Sequence, residues 1–237
     1  LDGEDIMDLN ALKEIIDANP ELYRIFRGCP YEILNHWETK EYRAGTVICR
    51  QGEIIDRLYI IVKGYADIYY LAENGKKYSL ITLKNGDVIG EIEILDRKPY
   101  GANMEAYSNL TTLEISRDYF MKWMDMDRVV NFNINRVLSE RFYHLVLKAG
   151  KDTLHTLKYR LCAYLVSRGK QISKDTKNIE IKINKEKLSE EFAVTSRSIN
   201  RVLQELQKRN ILEMKINSII VRDLDALAEE GECYDVL

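Results

Sequence analysis

The sequence predicts an α+β chain with two unlike parts: an N-terminal antiparallel β-roll of jelly-roll type with flanking helices, then a long helix and a helical C-terminal unit bearing a short β-wing. Three observations predict it. Between about 39 and 116 the hydrophobic period is that of short strands broken by glycine, and from 128 to 148 it is that of one uninterrupted helix. The charge of the 237 residues is also divided by segment. Residues 151–223 hold 16 Lys+Arg against 9 Asp+Glu, a balance of +7, whereas 1–150 hold 19 against 24 and 224–237 none against 5. The net charge of −3 therefore averages an acidic body, a basic unit and an acidic tail, a segregation that points to a polyanion partner for the basic unit.

The first stretch, 4–28, reads as one or two short amphipathic helices, with Ile6, Leu9, Leu12, Ile15 and Ile16, then Leu22, Ile25 and Phe26 at helical spacing. Five short runs rich in Ile, Val, Tyr and Thr follow: Val47–Ile48, Leu58–Val62, Ala66–Leu71, Tyr78–Leu83 and Leu110–Ile115. Six of the 12 glycines, from Gly45 to Gly90, punctuate them, and turns at this interval suit a small barrel or roll. "RDYFMKWMD" after residue 117 opens a helix. The longer helix over 128–148 carries Ile134, Leu138, Phe142, Leu145 and Ala149 as a stripe. Such a stripe packs either on its own roll or against a second copy, and the dimer is the expectation for a long helix between two compact units. Asn131, Asn133, Asn135 and Arg141 interrupt the stripe and are candidates for setting its register. Gly150 reads as the helix stop, with Asp152 or Thr153 capping a helix over about 154–168. The domains expected are 1–127, 128–150 as dimer helix and hinge, and 151–237.

In the basic unit an alternating strand at 178–184 precedes helices at 185–192 and 196–209, and "ILEMKINSIIVRD" reads as a two-stranded wing. Leu188, Phe192 and Val194 face a small core, as do Ile199, Val202, Leu203 and Leu206. That leaves Ser196, Arg197, Ser198, Asn200 and Arg201 outward near the start of the second helix, as a helix-turn-helix requires when its second helix enters the major groove. Arg suits guanine O6 and N7, and Asn suits adenine N6 and N7. Lys185 and Lys187, with Lys158 and Arg168, are candidate phosphate contacts.

Composition excludes several classes. With 46% hydrophobic residues and only 3 Pro the chain is not disordered, and no apolar run approaches the ~18 residues of a membrane span. Cys29, Cys49, Cys162 and Cys233 form no CxxC pair, which suits a reducing compartment, and no basic-plus-apolar leader opens the residues given, so a cytoplasmic protein is expected. No nucleophile elbow, HExxH or phosphate-binding GxxxxGK[ST] occurs, so no enzyme is expected.

The glycines Gly52, Gly64, Gly75 and Gly86, the "GEIEIL" at 90–95, the long helix and "SRSINRVLQELQKRNIL" together resemble the Crp/Fnr family of bacterial transcription regulators over essentially the whole chain. The resemblance implies a cupin-like β-roll sensor, a dimerisation helix and a winged helix-turn-helix. It also implies a homodimer on a palindromic operator of double-stranded DNA, with RNA polymerase as a further partner. Well-known members carry a Glu and an Arg four positions apart in the recognition helix. Here Arg201 matches the Arg, but Arg197 stands at the Glu position, which implies a different half-site. In the cyclic-nucleotide binders, the segment after "GE" supplies backbone N–H groups, an Arg, a small hydroxyl residue and Ala. The corresponding effector residues here are Gly90, Glu91, Ile92, Tyr100, Gly101 and Ala102, with Leu145 and Val146 on the helix where a purine would lie. Tyr100 replaces the Arg, and Arg97 and Lys98 lie in a turn where solvated side chains are expected. A buried phosphodiester needs a cation, so cyclic AMP is not the expected effector, although another small molecule remains open. No iron–sulfur cluster is expected, because only Cys29 lies in the first 45 residues. No haem or metal is expected either, since Cys49, His36, His144 and His155 have no supporting spacing. The alternative function is a ligand-binding sensor that acts through protein partners, its DNA recognition degenerate.

Overall fold

The computed structural model describes residues 9–173 and 177–232, and Ile6 and Cys233 lie outside the described residues. The chain forms two compact units: one holds Ser79–Tyr143 with the described residues up to Gly75, and the other holds Lys76–Tyr78 with the described residues from His144 onward.

In the first unit, α1 (Leu9–Asp17), α2 (Pro20–Phe26) and α3 (Tyr31–Leu34) precede the strands. Asn19 caps α2 by accepting from the Glu21 N–H at 3.0 Å, and Pro20 occupies the first helical position, where no donor is needed. Eight strands follow: β1 (Glu38–Tyr42), β2 (Val47–Cys49), β3 (Arg57–Lys63), β4 (Ala66–Leu71), β5 (Lys77–Leu83), β6 (Val88–Ile89), β7 (Asn103–Ala106) and β8 (Leu110–Ser116). They make two four-stranded sheets, ordered β1-β8-β3-β6 and β2-β7-β4-β5, with α4 (Glu93–Asp96) between β6 and β7. β3 and β8 pair antiparallel at the centre of the first sheet.

Period-two alternation gives β3 two buried faces. Leu58 and Ile60, with Leu113 and Ile115, pack against the helices around Phe26, Trp37 and Trp123. The Phe26 ring lies 4.9 Å from Trp37 and 5.8 Å from Trp123 between centroids. Tyr59 and Ile61 face the roll interior with Cys49, Tyr100 and Met104. Gly64 makes the β3–β4 turn at φ +94, and a Cβ there would lie 2.3 Å from the Asn109 carbonyl oxygen, so only glycine fits. The unit closes with α5 (Arg117–Met126) and the start of α6 (Arg128–Leu154).

The second unit contains α7 (Leu157–Ile172), β9 (Lys177–Lys182), α8 (Lys185–Glu191), α9 (Ser196–Lys208), β10 (Leu212–Met214), β11 (Ser218–Asp223) and α10 (Leu224–Glu230). β11 is central in an antiparallel three-stranded sheet ordered β10-β11-β9. Leu161, Leu165, Ile181, Leu203, Leu206, Val221 and Leu227 fill one core beneath it.

Several expectations are corrected. The long helix does not stop at Gly150 but continues to Leu154. A single helical glycine weakens the helix by roughly 1 kcal/mol relative to Ala and does not end it. The next cap is therefore Thr156, whose hydroxyl accepts from the Tyr159 N–H at 3.2 Å, rather than Asp152 or Thr153. β9 ends at Lys182, and Asn184, expected in the strand, instead caps α8 through the Glu186 and Lys187 N–H groups at 2.9 and 3.0 Å. The acidic tail is not all tail: Asp223 caps α10, which buries Leu224, Leu227 and Ala228. β1, β6 and β7 add to the five expected strands.

The stripe on α6 divides. Val130 and Ile134 are buried and Leu138 is half-buried against the roll, whereas Phe142, Leu145 and Val146 stand 69%, 54% and 53% exposed. The polar interruptions find partners within their own chain. Asn131 donates to the Asp127 carbonyl at 3.0 Å, Asn133 to that of Arg24 at 3.2 Å and Asn135 to that of Asn131 at 2.9 Å. Each of these amides donates within its own chain.

Candidate nucleic-acid interface and effector segment

The pair α8–α9 is set by local chemistry. Leu188 and Phe192 anchor α8 in the core, and the chain then reverses through Ala193, which takes the left-handed φ of +52. Thr195 caps α9, its hydroxyl accepting from the Ser198 N–H at 3.2 Å. Ile199, Val202, Leu203 and Leu206 are buried along one side of α9. At 3.6 residues per turn this places Arg197, Arg201 and Gln204 together on the opposite side.

Arg197, Ser198, Asn200, Arg201 and Gln204 line one open groove of about 660 Å³. A small-molecule pocket is lined mostly by apolar side chains from several elements, whereas every residue here is polar and belongs to one helix. Four of the five expected residues are thus brought together. Ser196 sits at the start of the same helix, half-buried. Gln204, which the sequence expectation did not include, lines the same groove two turns beyond the helix N-terminus. Its spacing of seven from Arg197 was the available signal. Among the described residues neither Arg197 nor Arg201 has an ion-pair partner. Lys185 and Lys187 lie in the first turn of α8, partly exposed.

Other cations are engaged. Lys158 is bound by the Glu230 carboxylate and reaches Glu205 at 3.4 Å, and Arg209 donates to both Glu230 oxygens at 2.6 and 2.7 Å. Hydrogen bonding from Lys158 holds the Glu230 carboxyl below its ordinary pKa. Arg168 stacks over Tyr164 at 5.5 Å.

The effector segment is filled by its own side chains. Gly90 has φ +89, and a Cβ there would lie 2.6 Å from the Tyr100 hydroxyl and 2.8 Å from the Arg57 carbonyl oxygen. Tyr100 is buried at 5% exposure among the interior residues, its hydroxyl without a hydrogen-bond partner in the described structure. Its phenol is shifted to higher pKa, first by burial. The Cys49 thiol beside it is pushed up to about 12, again by burial. Glu91 is 1% exposed and is met by Arg141 of α6, whose guanidinium also donates to the Val88 carbonyl. Burial raises the Glu91 pKa and the Arg141 charge works against that rise. Burial likewise raises the Glu93 pKa, opposed by backbone N–H groups, its own and that of Gly101, bonding the carboxylate. Ile92 is 55% exposed, Gly101 is exposed and Ala102 half-buried. Arg97 forms a two-pronged pair with Asp56 at 3.1 and 2.6 Å in solvent, and Lys98 pairs with Asp96 at 3.2 Å. Leu145 and Val146 are exposed on α6, beyond the end of the first unit. Among the described residues no three His, Cys, Asp or Glu gather as metal ligands would, and no helix is long and apolar enough to cross a membrane.

Comparison with known proteins agrees with this division. Residues 39–127 match the cyclic nucleotide-binding domain and residues 159–230 the Crp-like helix-turn-helix domain. The cAMP-activated global transcriptional regulator CRP of Salmonella typhimurium is 24% identical over 191 residues, covering 79% of this chain and 91% of that protein. The anaerobic regulatory protein of Bacillus subtilis is 24% identical over 209 residues, covering 86% and 88%. Among solved structures, the c-di-GMP responsive global regulator CLP of Xanthomonas campestris superposes with a TM-score of 0.72 at 16% identity, over 85% of this chain and 98% of that one. A CRP-family transcriptional regulator of Thermus thermophilus gives 0.64 at 21% identity, over 81% and 96%. An eight-stranded roll, a long helix and a winged helix pair with an outward cationic face, matched in that order along the chain, place it in the Crp/Fnr family of bacterial transcription regulators, with DNA as its partner.

Proposed function

We propose that the chain acts as a homodimeric, sequence-specific regulator that reads a palindromic operator through α9. The observation that carries this reading is the cationic face of Arg197 and Arg201, without an ion-pair partner among the described residues and flanked by Ser196, Ser198 and Asn200. Such exposed arginines are available to guanine edges, while Lys185 and Lys187 at the start of α8 suit phosphates and fix the register. Residues 151–237 form the DNA-binding part, 128–150 the dimerisation helix and 1–127 the sensor. Phe142, Leu145 and Val146, exposed on one helix, are the apolar residues a second copy covers. In such a dimer the two recognition helices meet successive major grooves about 34 Å apart. RNA polymerase is the further partner the family suggests, and the cytoplasm the compartment. The chain's role involves no catalytic step.

The sensor does not hold cyclic AMP in the manner of the cAMP-activated relatives. Tyr100 supplies one neutral hydroxyl where the resemblance calls for an Arg, and Glu91 is already held by Arg141. A buried phosphodiester without a cation is strongly disfavoured. Footprinting of the purified protein on its own upstream DNA tests the main reading: a protected palindrome is expected, and uniform or absent protection contradicts it. Calorimetry with cyclic AMP tests the second claim, with micromolar binding as the contrary result; Tyr100→Arg is the control expected to gain affinity. A titration with c-di-GMP, to which the Xanthomonas relative responds, uses the same assay.

A further inference from the structure

We propose that Gln204 is a base-reading residue that selects an adenine at the far end of the half-site, an inference that rests on α9 being the recognition helix. The structure places Gln204 in the same groove as Arg197 and Arg201. Along an α-helix the step from 197 to 201 advances about 6 Å and that from 201 to 204 about 4.5 Å. The three residues thus span roughly 10 Å on one face, which matches about three steps of a strand whose bases rise 3.4 Å apart. A reading face of this length extends past the first turns of the helix.

The chemistry at 204 favours a base over a phosphate. A carboxamide carries no charge, so it gains little from the phosphate field, but it offers one acceptor and one donor side by side. That pair matches the adenine N6 donor and N7 acceptor, which Gln can engage with two hydrogen bonds. The neighbouring Glu205 does not compete for the same edge, because its carboxylate is turned to Lys158 at 3.4 Å. One turn further, Lys208 is exposed on the same face, and its charge suits the backbone where the reading surface ends.

The test is selection from random duplexes with the full-length wild type, Gln204→Ala and Arg201→Ala, followed by anisotropy titrations on the selected site and on single-position variants. Alanine is the strongest helix former and position 204 is exposed, so the fold is retained. The wild type is expected to require adenine at one position of each half-site. Gln204→Ala should lose that preference alone, binding the selected site about tenfold more weakly while keeping its affinity for non-specific DNA. An unchanged preference overturns the inference, as does an equal loss on every sequence, which marks a phosphate contact. Arg201→Ala separates the two levels. If it loses the operator while Gln204→Ala reads it normally, only the Gln204 assignment fails. If the wild type selects no sequence, the recognition reading fails and carries the inference with it.

Discussion

The outer face of α9 and the segment from Gly90 to Ala102 are both rich in polar groups, yet they treat their charges in opposite ways. Arg197 and Arg201 stand exposed and unpaired among the described residues, whereas Glu91 is buried against Arg141 and Tyr100 is folded into the roll interior. Leaving a cation in water carries little penalty, so an unpaired surface arginine is a standing offer to an external anion. A buried carboxylate has no such freedom and must be matched within the protein. The first region is built for an outside partner, and the second has internalised its own.

The comparison is broken most severely at Arg141. Arg141→Ala leaves Glu91 buried without its counter-charge, and removing one partner of such a pair typically costs about 3–5 kcal/mol. Glu91→Gln in the same chain should recover much of the loss. Burial raises the Glu91 pKa, so the folded state holds this proton more tightly than the unfolded one, and the group's contribution falls as pH rises above the ordinary carboxylate value of 4.5. The Arg141→Ala deficit in urea unfolding should therefore be larger at pH 8 than at pH 5, and an equal deficit at both argues that Glu91 stays ionised.

On the open face the same arginine-to-alanine change should do the reverse. Arg201→Ala is expected to leave unfolding unchanged within about 0.5 kcal/mol and to weaken operator binding by roughly 1–3 kcal/mol. A stability loss with intact binding inverts the contrast. Ala193→Gly is smaller. An L-residue at φ +52 bears a steric penalty that glycine lacks, offset by glycine's greater freedom when unfolded, so a gain of about 0.5–1 kcal/mol is expected in the urea midpoint. The smallest effect concerns Glu230. Glu230→Gln releases Arg209, while Lys158 keeps Glu205 at 3.4 Å, and should steepen the salt dependence of non-specific DNA binding by about one unit of slope. An unchanged slope indicates that Arg209 lies outside the footprint.

The elements legible in the sequence were those whose pattern is local. Short runs rich in Ile, Val, Tyr and Thr announced β3 and β8, glycines marked the turns between strands, and the Leu188, Phe192, Ile199 and Leu203 spacing announced the helix pair. β1 escaped because "ETKEY" has no apolar alternation; it is an edge strand fixed by pairing with β8 from Glu38↔Glu114 to Tyr42↔Leu110. α10 escaped because its acidic residues dominated the composition and hid the Leu224, Leu227 and Ala228 face. Of the site, Arg197, Ser198, Asn200 and Arg201 were readable from helical phase, since a cap and an apolar stripe define the opposite face. The Arg141–Glu91 pair joins residues 50 apart in the chain, and no local pattern encodes that meeting.

The central claim is that α9 distinguishes one DNA sequence from another. Its most direct measurement is a salt titration of the full-length protein on its footprinted operator and on a scrambled duplex of equal length and composition. Both affinities should fall steeply with log salt, because both include phosphate contacts, and the operator should remain at least about a thousandfold tighter at physiological salt. Equal affinity for the two duplexes would contradict the account.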